Sequence, residues 1–229
     1  MRLNVFMAKC GYASRRKADI LISDGMVMVN DVKVYKPFIY VSEKDIVKVN
    51  GEILWLQKHI YILFNKPKGV TTTLSDRFAK KKIIDFFPEK FKGIFPVGRL
   101  DKNSSGLILM TNDGDFCHKV THPKFFIEKE YLLSLKGILT VNDCLKAKKG
   151  VLSDGDYLKA NSIEVVKKNK LDTVCKVVVH EGKKRHLRRL FKKLGFEVKE
   201  LKRTRIASLR LGRLKPGEFK IINSNLLKI

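Results

Sequence analysis

Acidic side chains are scarce in this chain: 23 Asp and Glu stand against 48 Lys and Arg, leaving a net charge of +25 at pH 7 and a pI near 10.0. A field of that sign repels cationic ligands and draws in polyanions, so nucleic acid or an anionic membrane surface would suit it. Long hydrophobic runs are missing too. The apolar stretches last only a few residues, far short of the roughly 20 needed to cross a bilayer, and no charged-then-apolar leader opens the chain. A soluble, cytoplasmic protein with no membrane partner is expected. Cysteine is limited to Cys10, Cys117, Cys144 and Cys175, far apart and without a CxxC pair, which excludes a zinc knuckle or a disulfide framework and predicts reduced, packed thiols. His118 and His122 have the i, i+4 spacing of a metal pair, with Cys117 adjacent. Pro123 follows at once and no acidic third ligand is placed, so the pair reads as a chain turning. With no GxGxxG and no P-loop either, no cofactor is expected.

What the chain does have is enough apolar residue, 44% of 229, for one ordinary domain and a small one. Charge divides them unevenly. Residues 1–58 hold 10 basic and 6 acidic side chains, a net +4, and residues 59–229 hold 38 and 17, a net +21. Within the latter, residues 176–215 carry 15 basic and 3 acidic side chains, or +12. The join falls in "LWLQKHI", residues 54–60, whose composition is not that of a flexible linker.

The first part reads as a helix around Leu3 to Lys9, a turn at Gly11, and a second helix from about Arg15, with Ser14 as N-cap and Gly25 closing it. A hairpin follows, "MVMVN" and "VKVYK" joined at Asn30-Asp31, and "DIVKVNG" alternates with period two. Arg15, Arg16 and Lys17 fill a first helical turn, where the macrodipole disfavours cations by roughly 0.3–1 kcal/mol each. A solvated charged turn would explain them, and so would an anionic partner. The whole pattern, "RLNVFMAKCGYASRRKADILISDGMVMVNDVKV", resembles the S4 (αL) RNA-binding domain. That resemblance implies docking on structured RNA through phosphates and shape.

In the second part "YILFNK" and "GLILMT" read as strands, "KIIDFFP" as a helix stopped by Pro88, and "NDGD" as a turn into a helix near Phe116 to Thr121. "KEYLLSLKG" and "TVCKVVVHEG" read as strands, "KRHLRRLFKKL" as a helix capped by Gly195, and "RIASLRLG" as a strand. Strands with interspersed helices and no regular β-α-β spacing make the chain α+β, its sheet partly antiparallel.

Asp101 lies in "VGRLDKNSSG" between Arg99 and Lys102. Alone, an Asp in such a loop reads as a turn or capping residue. Near cations a carboxylate stays ionised and aimed, as a nucleophile or proton acceptor requires. On "EGKKRHLRRLFKKLG", Leu187, Leu190, Phe191 and Leu194 form the stripe that packs on a core, beside a basic stripe of Arg185, Arg188 and Lys192. Tyr131 shares a strand face with Leu133 and Leu135, a core position by periodicity.

The sequence "GRLDKNSSGLILMTNDGD", preceded by "NKPKGV" and followed by "KEY", "EGKKRHLRRLFKKLG", "KRTRI" and "LKPGE", looks like the RsuA/RluB/RluE/RluF family of ribosomal RNA pseudouridine synthases. The likeness runs from about residue 60 to 220. It implies a mainly antiparallel mixed sheet flanked by helices, a monomer, and an isomerase that needs no metal or coenzyme. By resemblance Asp101 is the catalytic aspartate, Tyr131 stacks on the target base and Arg188 pairs with Asp101. RNA contacts are expected from Arg15, Arg16 and Lys17 and, in the second part, from Lys66, Arg99, Lys184, Arg185, Arg189, Arg203 and Arg205. His186 stands where members carry Gln. The partner expected is ribosomal RNA or an assembly intermediate, of the large subunit (23S) because "THPKFFIEKEY" is closer to the RluB type. A small-subunit target and a non-catalytic S4-type assembly factor are the other readings.

Overall fold

The computed structural model describes residues 1–223, so the last six positions of the expected second domain, 224–229, lie outside the described residues. The chain forms two compact units, one of Met1–Ile60 with Phe87–Phe95, the other of Tyr61–Phe86 with the chain from Pro96 onward.

In the first unit α1 (Leu3–Lys9) and α2 (Arg15–Ser23) are joined through Gly11 at φ +68. The Ser14 hydroxyl accepts the Lys17 N–H at 3.3 Å, the cap that starts α2. Strands β1 (Val27–Val29) and β2 (Val32–Val34) form the hairpin, with Asn30 and Asp31 both at positive φ, as a tight two-residue turn between right-twisted strands requires. β3 (Val47–Val49) pairs on the other side of β1 and β4 (Glu52–Ile53) on β3. Leu3, Phe6, Met7, Ala18, Ile22, Val27, Val47 and Val49 fill the core between helices and sheet. Residues 87–95, expected in the second part, belong here: Phe91 and Ile94 are buried, and a Cβ on Gly93 would lie 3.3 Å from the Gly11 Cα. Two distant glycines packing together leave no periodic signal in sequence.

The second unit is built on one large sheet. Its strands are β5 (Tyr61–Lys66), β6 (Ser105–Thr111), β7 (Lys129–Lys136), β8 (Ser162–Lys168), β9 (Asp172–Val179), β10 (Glu197–Ile206), β11 (Leu209–Arg210) and β12 (Phe219–Ile222). Their order is β8-β9-β7-β10-β6-β5-β12, with β11 on β10. Every one of these pairings is antiparallel except that of β10 with β6, where Lys202 and Arg203 lie opposite Ser105 and Gly106. The fold is therefore α+β with a mixed, mainly antiparallel sheet. Helices α3 (Gly114–Thr121), α4 (Val141–Lys149) and α5 (His186–Lys193) lie between strands in sequence. β7 and β9 alternate buried and half-buried residues along their length, whereas Leu107–Met110 of β6 are buried throughout, the mark of a strand covered on both faces.

Two elements differ from expectation. "KIIDFFP" is a single 3₁₀ turn, Ile83–Phe86, because four residues ahead of a proline cannot repay helix nucleation. "RIASLRLG" is broken: β10 ends at Ile206 and reverses into β11 through Ala207 at φ +48. The stretches that fold into α4 and β8 are not among the expected elements: their apolar residues are interrupted or followed by lysine, three in α4 and two in β8. Thr140 starts α4 with a capping box to Asp143.

Candidate active site

Asp101 sits in the loop that enters β6, at the parallel junction with β10, and the backbone of residues 100–104 is tied down. Leu100 is held in both directions by Thr72, whose hydroxyl donates to its carbonyl at 2.7 Å and accepts its N–H at 3.3 Å. The Asp101 carbonyl accepts from Ser104 N–H at 3.0 Å, and that of Lys102 from Gly69 N–H at 2.8 Å. Arg188 Nη2 donates to the Asn103 carbonyl at 3.2 Å. These bonds use the backbone, and among the described residues the Asp101 carboxylate has no hydrogen bond or ion pair, acting on Lys66 and Arg188 only through space. A half-buried acid on a loop so held has its backbone position set before any ligand arrives.

The carboxylate lines a cleft of about 640 Å³, whose walls hold eight Lys or Arg against two acids, Asp101 and Glu181. Charge of one sign focused in a cleft with apolar walls raises the local concentration of anions. Two buried ammonium groups belong to this region, Lys129 in the cleft wall and Lys66 within electrostatic reach of Asp101. Lys66 is fully buried, its Nζ donating to the carbonyls of Pro67 at 2.9 Å, Val70 at 2.8 Å and Lys102 at 3.4 Å. Burial lowers its pKa to about 8, with Asp101 opposing and Arg203 adding to the shift. Lys129 is lowered to about 8 as well, by burial and then by Arg203.

Arg203 is 3% exposed. Its Nε donates to the Leu107 carbonyl at 2.6 Å, Nη1 lies 3.4 Å from the Tyr131 hydroxyl, and the guanidinium carbon is 5.9 Å from the Tyr131 ring centre. Tyr131 is thus fixed from behind by a cation while remaining part of the cleft wall. Such close approach requires Gly106, because a Cβ there would stand 2.2 Å from the Arg203 carbonyl oxygen.

Helix α5 brings its residues to the cleft from the far side. Leu187, Leu190 and Phe191 are buried, with Leu194 half-buried just past the helix end, as the apolar stripe predicts. Arg185 takes a left-handed backbone at the N-cap, φ 52, and is exposed with Lys184 at the rim. Burial lowers the Arg188 pKa, Arg185 lowers it further, and Asp101 opposes both.

Comparison with known proteins follows the same residues. The model of the RNA pseudouridylate synthase family matches residues 60–193, more than half of the chain. This chain belongs to that family. A Bacillus subtilis protein named ribosomal large subunit pseudouridine synthase B is 37% identical over 99% of the chain and 94% of its own length. An RNA pseudouridine synthase of Aquifex aeolicus is 35% identical over 99% and 92%. A solved pseudouridylate synthase superimposes with a TM-score of 0.70 at 28% identity, covering 98% of this chain and 97% of that one.

Against this synthase cleft the expected residues sort into three groups. Asp101, Tyr131, Arg188, Arg99, Lys184, Arg185 and Arg203 all line it. Five of the expected residues are engaged differently. Arg188 is not ion-paired to Asp101: its fork is spent on the carbonyls of Val198, at 2.7 Å, and Asn103. Lys66 is no RNA contact, since its ammonium is enclosed by loop carbonyls. Arg189 is held by Asp154 at 2.9 Å and Asp156 at 2.7 Å, and Arg205 by Glu128 at 2.9 Å and Glu130 at 3.5 Å. Arg203, at 3% exposure, supports the cleft from within rather than gripping phosphate on its surface. Arg15, Arg16 and Lys17 are exposed on the first unit.

Sequence reasoning missed Thr72 and Lys129, whose roles depend on partners 28 and 51 residues away. His186 is buried, its Nε2 against the Lys159 carbonyl at 3.0 Å, and burial lowers its pKa. His122 Nδ1 accepts the Lys124 N–H at 3.3 Å, a turn-forming contact. No helix among the described residues is long and apolar enough to cross a membrane.

Proposed function

We propose that this synthase converts one uridine of large-subunit ribosomal RNA to pseudouridine, with Asp101 as the reacting carboxylate. The observation that carries the assignment is the clamped Asp101 loop, which holds an unengaged acid in a strongly basic cleft. The name of the 37% identical Bacillus subtilis relative supports the choice of RNA.

The reaction breaks the bond from ribose C1′ to uracil N1 and makes one from C1′ to C5. The proton on C5 leaves and N1 gains one, so nothing is added, oxidised or hydrolysed. Glycoside hydrolysis usually needs a second carboxyl group to activate water, but an isomerase that keeps its detached base does not. Asp101 either attacks C1′ or removes a ribose proton, and both roles call for a fixed, directed acid. Tyr131, braced by Arg203, offers a ring for the extruded uracil, and Lys66, Lys129 and Arg203 supply positive potential under a base that carries negative charge once detached. Extruding the nucleotide costs a few kcal/mol, which phosphate contacts from Arg99, Lys184 and Arg185 offset. The first unit, in this reading an S4 domain, docks the RNA through Arg15, Arg16 and Lys17.

Asp101→Asn tests the assignment on ribosomal RNA purified from cells lacking the gene. Pseudouridine mapping should show one site formed by the wild type and none by the variant, with RNA affinity near normal. Turnover within a few-fold of wild type would remove Asp101 from the chemistry, and a site in small-subunit RNA would overturn the choice of target.

A further inference from the structure

The loop "TLSDRFAKKK", residues 73–82, springs from the cleft wall yet takes no part in the site described above. Its root is shared with the Asp101 loop: Thr72, one residue before it, bonds Leu100, and Thr71 and Thr72 both line the cleft. Its neck is closed, because Thr71 N–H donates to the Lys81 carbonyl at 3.0 Å and its own carbonyl accepts from Ile83 N–H at 2.9 Å. The tip is rigidified by Asp76, whose carboxylate accepts the Phe78 N–H at 2.9 Å. On that fixed tip the Phe78 ring is 80% exposed, with the Arg77 guanidinium 4.8 Å from its centre.

A single exposed phenylalanine is ordinary on a protein surface. This one is presented by a closed neck, accompanied by four cations (Arg77, Lys80, Lys81 and Lys82) against one acid, and rooted beside Asp101. An aromatic face set among cations is the arrangement that binds unpaired nucleic-acid bases, since every base has a face to stack and a phosphate alongside. A protein partner would call for a wider apolar patch, and of the loop's other residues only Leu74, at 46%, is an exposed large hydrophobe.

Resting on the reading of the cleft as an RNA-modifying site, we propose that this loop is a second RNA-binding element. It stacks Phe78 on an unpaired base near the target uridine, while Arg77 and Lys80 hold the adjoining phosphates. The loop would thus select targets whose neighbours are unpaired.

The test is the affinity of Phe78→Ala, Phe78→Trp and Arg77→Gln/Lys80→Gln for purified ribosomal RNA, read by filter binding, with circular dichroism to establish folding. Phe78→Ala should weaken binding about ten-fold, the size of one base stack, and Phe78→Trp should restore it. Benzoylphenylalanine at position 78 should cross-link to RNA on irradiation in a ribosome assembly intermediate. Affinity of Phe78→Ala within two-fold of wild type, or a cross-link to ribosomal protein and not RNA, overturns the inference. Pseudouridine formation by the wild type is measured separately and reads the cleft, so the two assignments fail independently.

Discussion

Replacing Gly106 by Ala adds one methyl group where the structure has no room for it. Gly106 has φ +101, a conformation that strains an alanine by ~1–3 kcal/mol. The new Cβ would also stand 2.2 Å from the Arg203 carbonyl oxygen and 2.7 Å from its nitrogen. The first distance is more than an ångström inside ordinary contact, and both atoms belong to the strand that pairs with β6, so no side chain can swing aside. Overpacking of this kind costs a further ~1–3 kcal/mol or more. Together these give ~2–6 kcal/mol, which at ~2–4 °C per kcal/mol for a chain of this size lowers the melting temperature by ~4–24 °C. Gly155 provides the control in the same unit: its φ is +78, but a Cβ there meets nothing within 4 Å, so Gly155→Ala carries strain alone. Its melting temperature should fall by ~2–12 °C, less than that of Gly106→Ala by the ~2–12 °C that the clash itself costs. Differential scanning calorimetry on the two variants separates clash from strain. Should Gly106→Ala melt within 2 °C or so of Gly155→Ala, the parallel β6–β10 junction yields, and the close approach of Arg203 is not what demands glycine there.

Two other expectations follow from single groups. Neutralising Arg15, Arg16 and Lys17 should weaken binding to ribosomal RNA and flatten its dependence on salt, by about 0.7–0.9 in the log–log slope for each phosphate that is no longer neutralised; an unchanged slope would strip the first unit of its docking role. Cys175 is fully buried on β9, and burial, with a smaller contribution from Cys144, pushes its thiol up to about 12. Iodoacetamide at pH 8 should therefore leave Cys175 unmodified in the native protein and alkylate it in urea, as read by mass spectrometry of peptides; equal labelling in both would refute the burial.

Much of the architecture was legible because it is written in local chemistry. The Ser14 cap, the Asn30-Asp31 turn, the apolar stripe of α5 and the alternation of β7 and β9 each concern residues a few positions apart, where period and turn propensity act directly. The motif around Asp101 was legible for another reason: its residue types in that order resemble a known family, although an isolated Asp in a loop would not have stood out. What stayed hidden was charge with a long-range partner. Lysines and arginines look alike in sequence whether they face solvent, a buried carbonyl or a carboxylate, so Lys66, Arg189, Arg203 and Arg205 read from the sequence as RNA contacts.

By itself the order of residues determined the strongly positive field, the α+β character, the start and end of most helices, and an acid set between cations. Tertiary structure alone decided which cations reach the cleft, because that depends on carbonyls and carboxylates brought in from strands far along the chain. It also decided that Arg188 serves the loop backbone instead of the carboxylate, and that a glycine must sit opposite Arg203. These are matters of distance in a packed sheet, and no local periodicity encodes them.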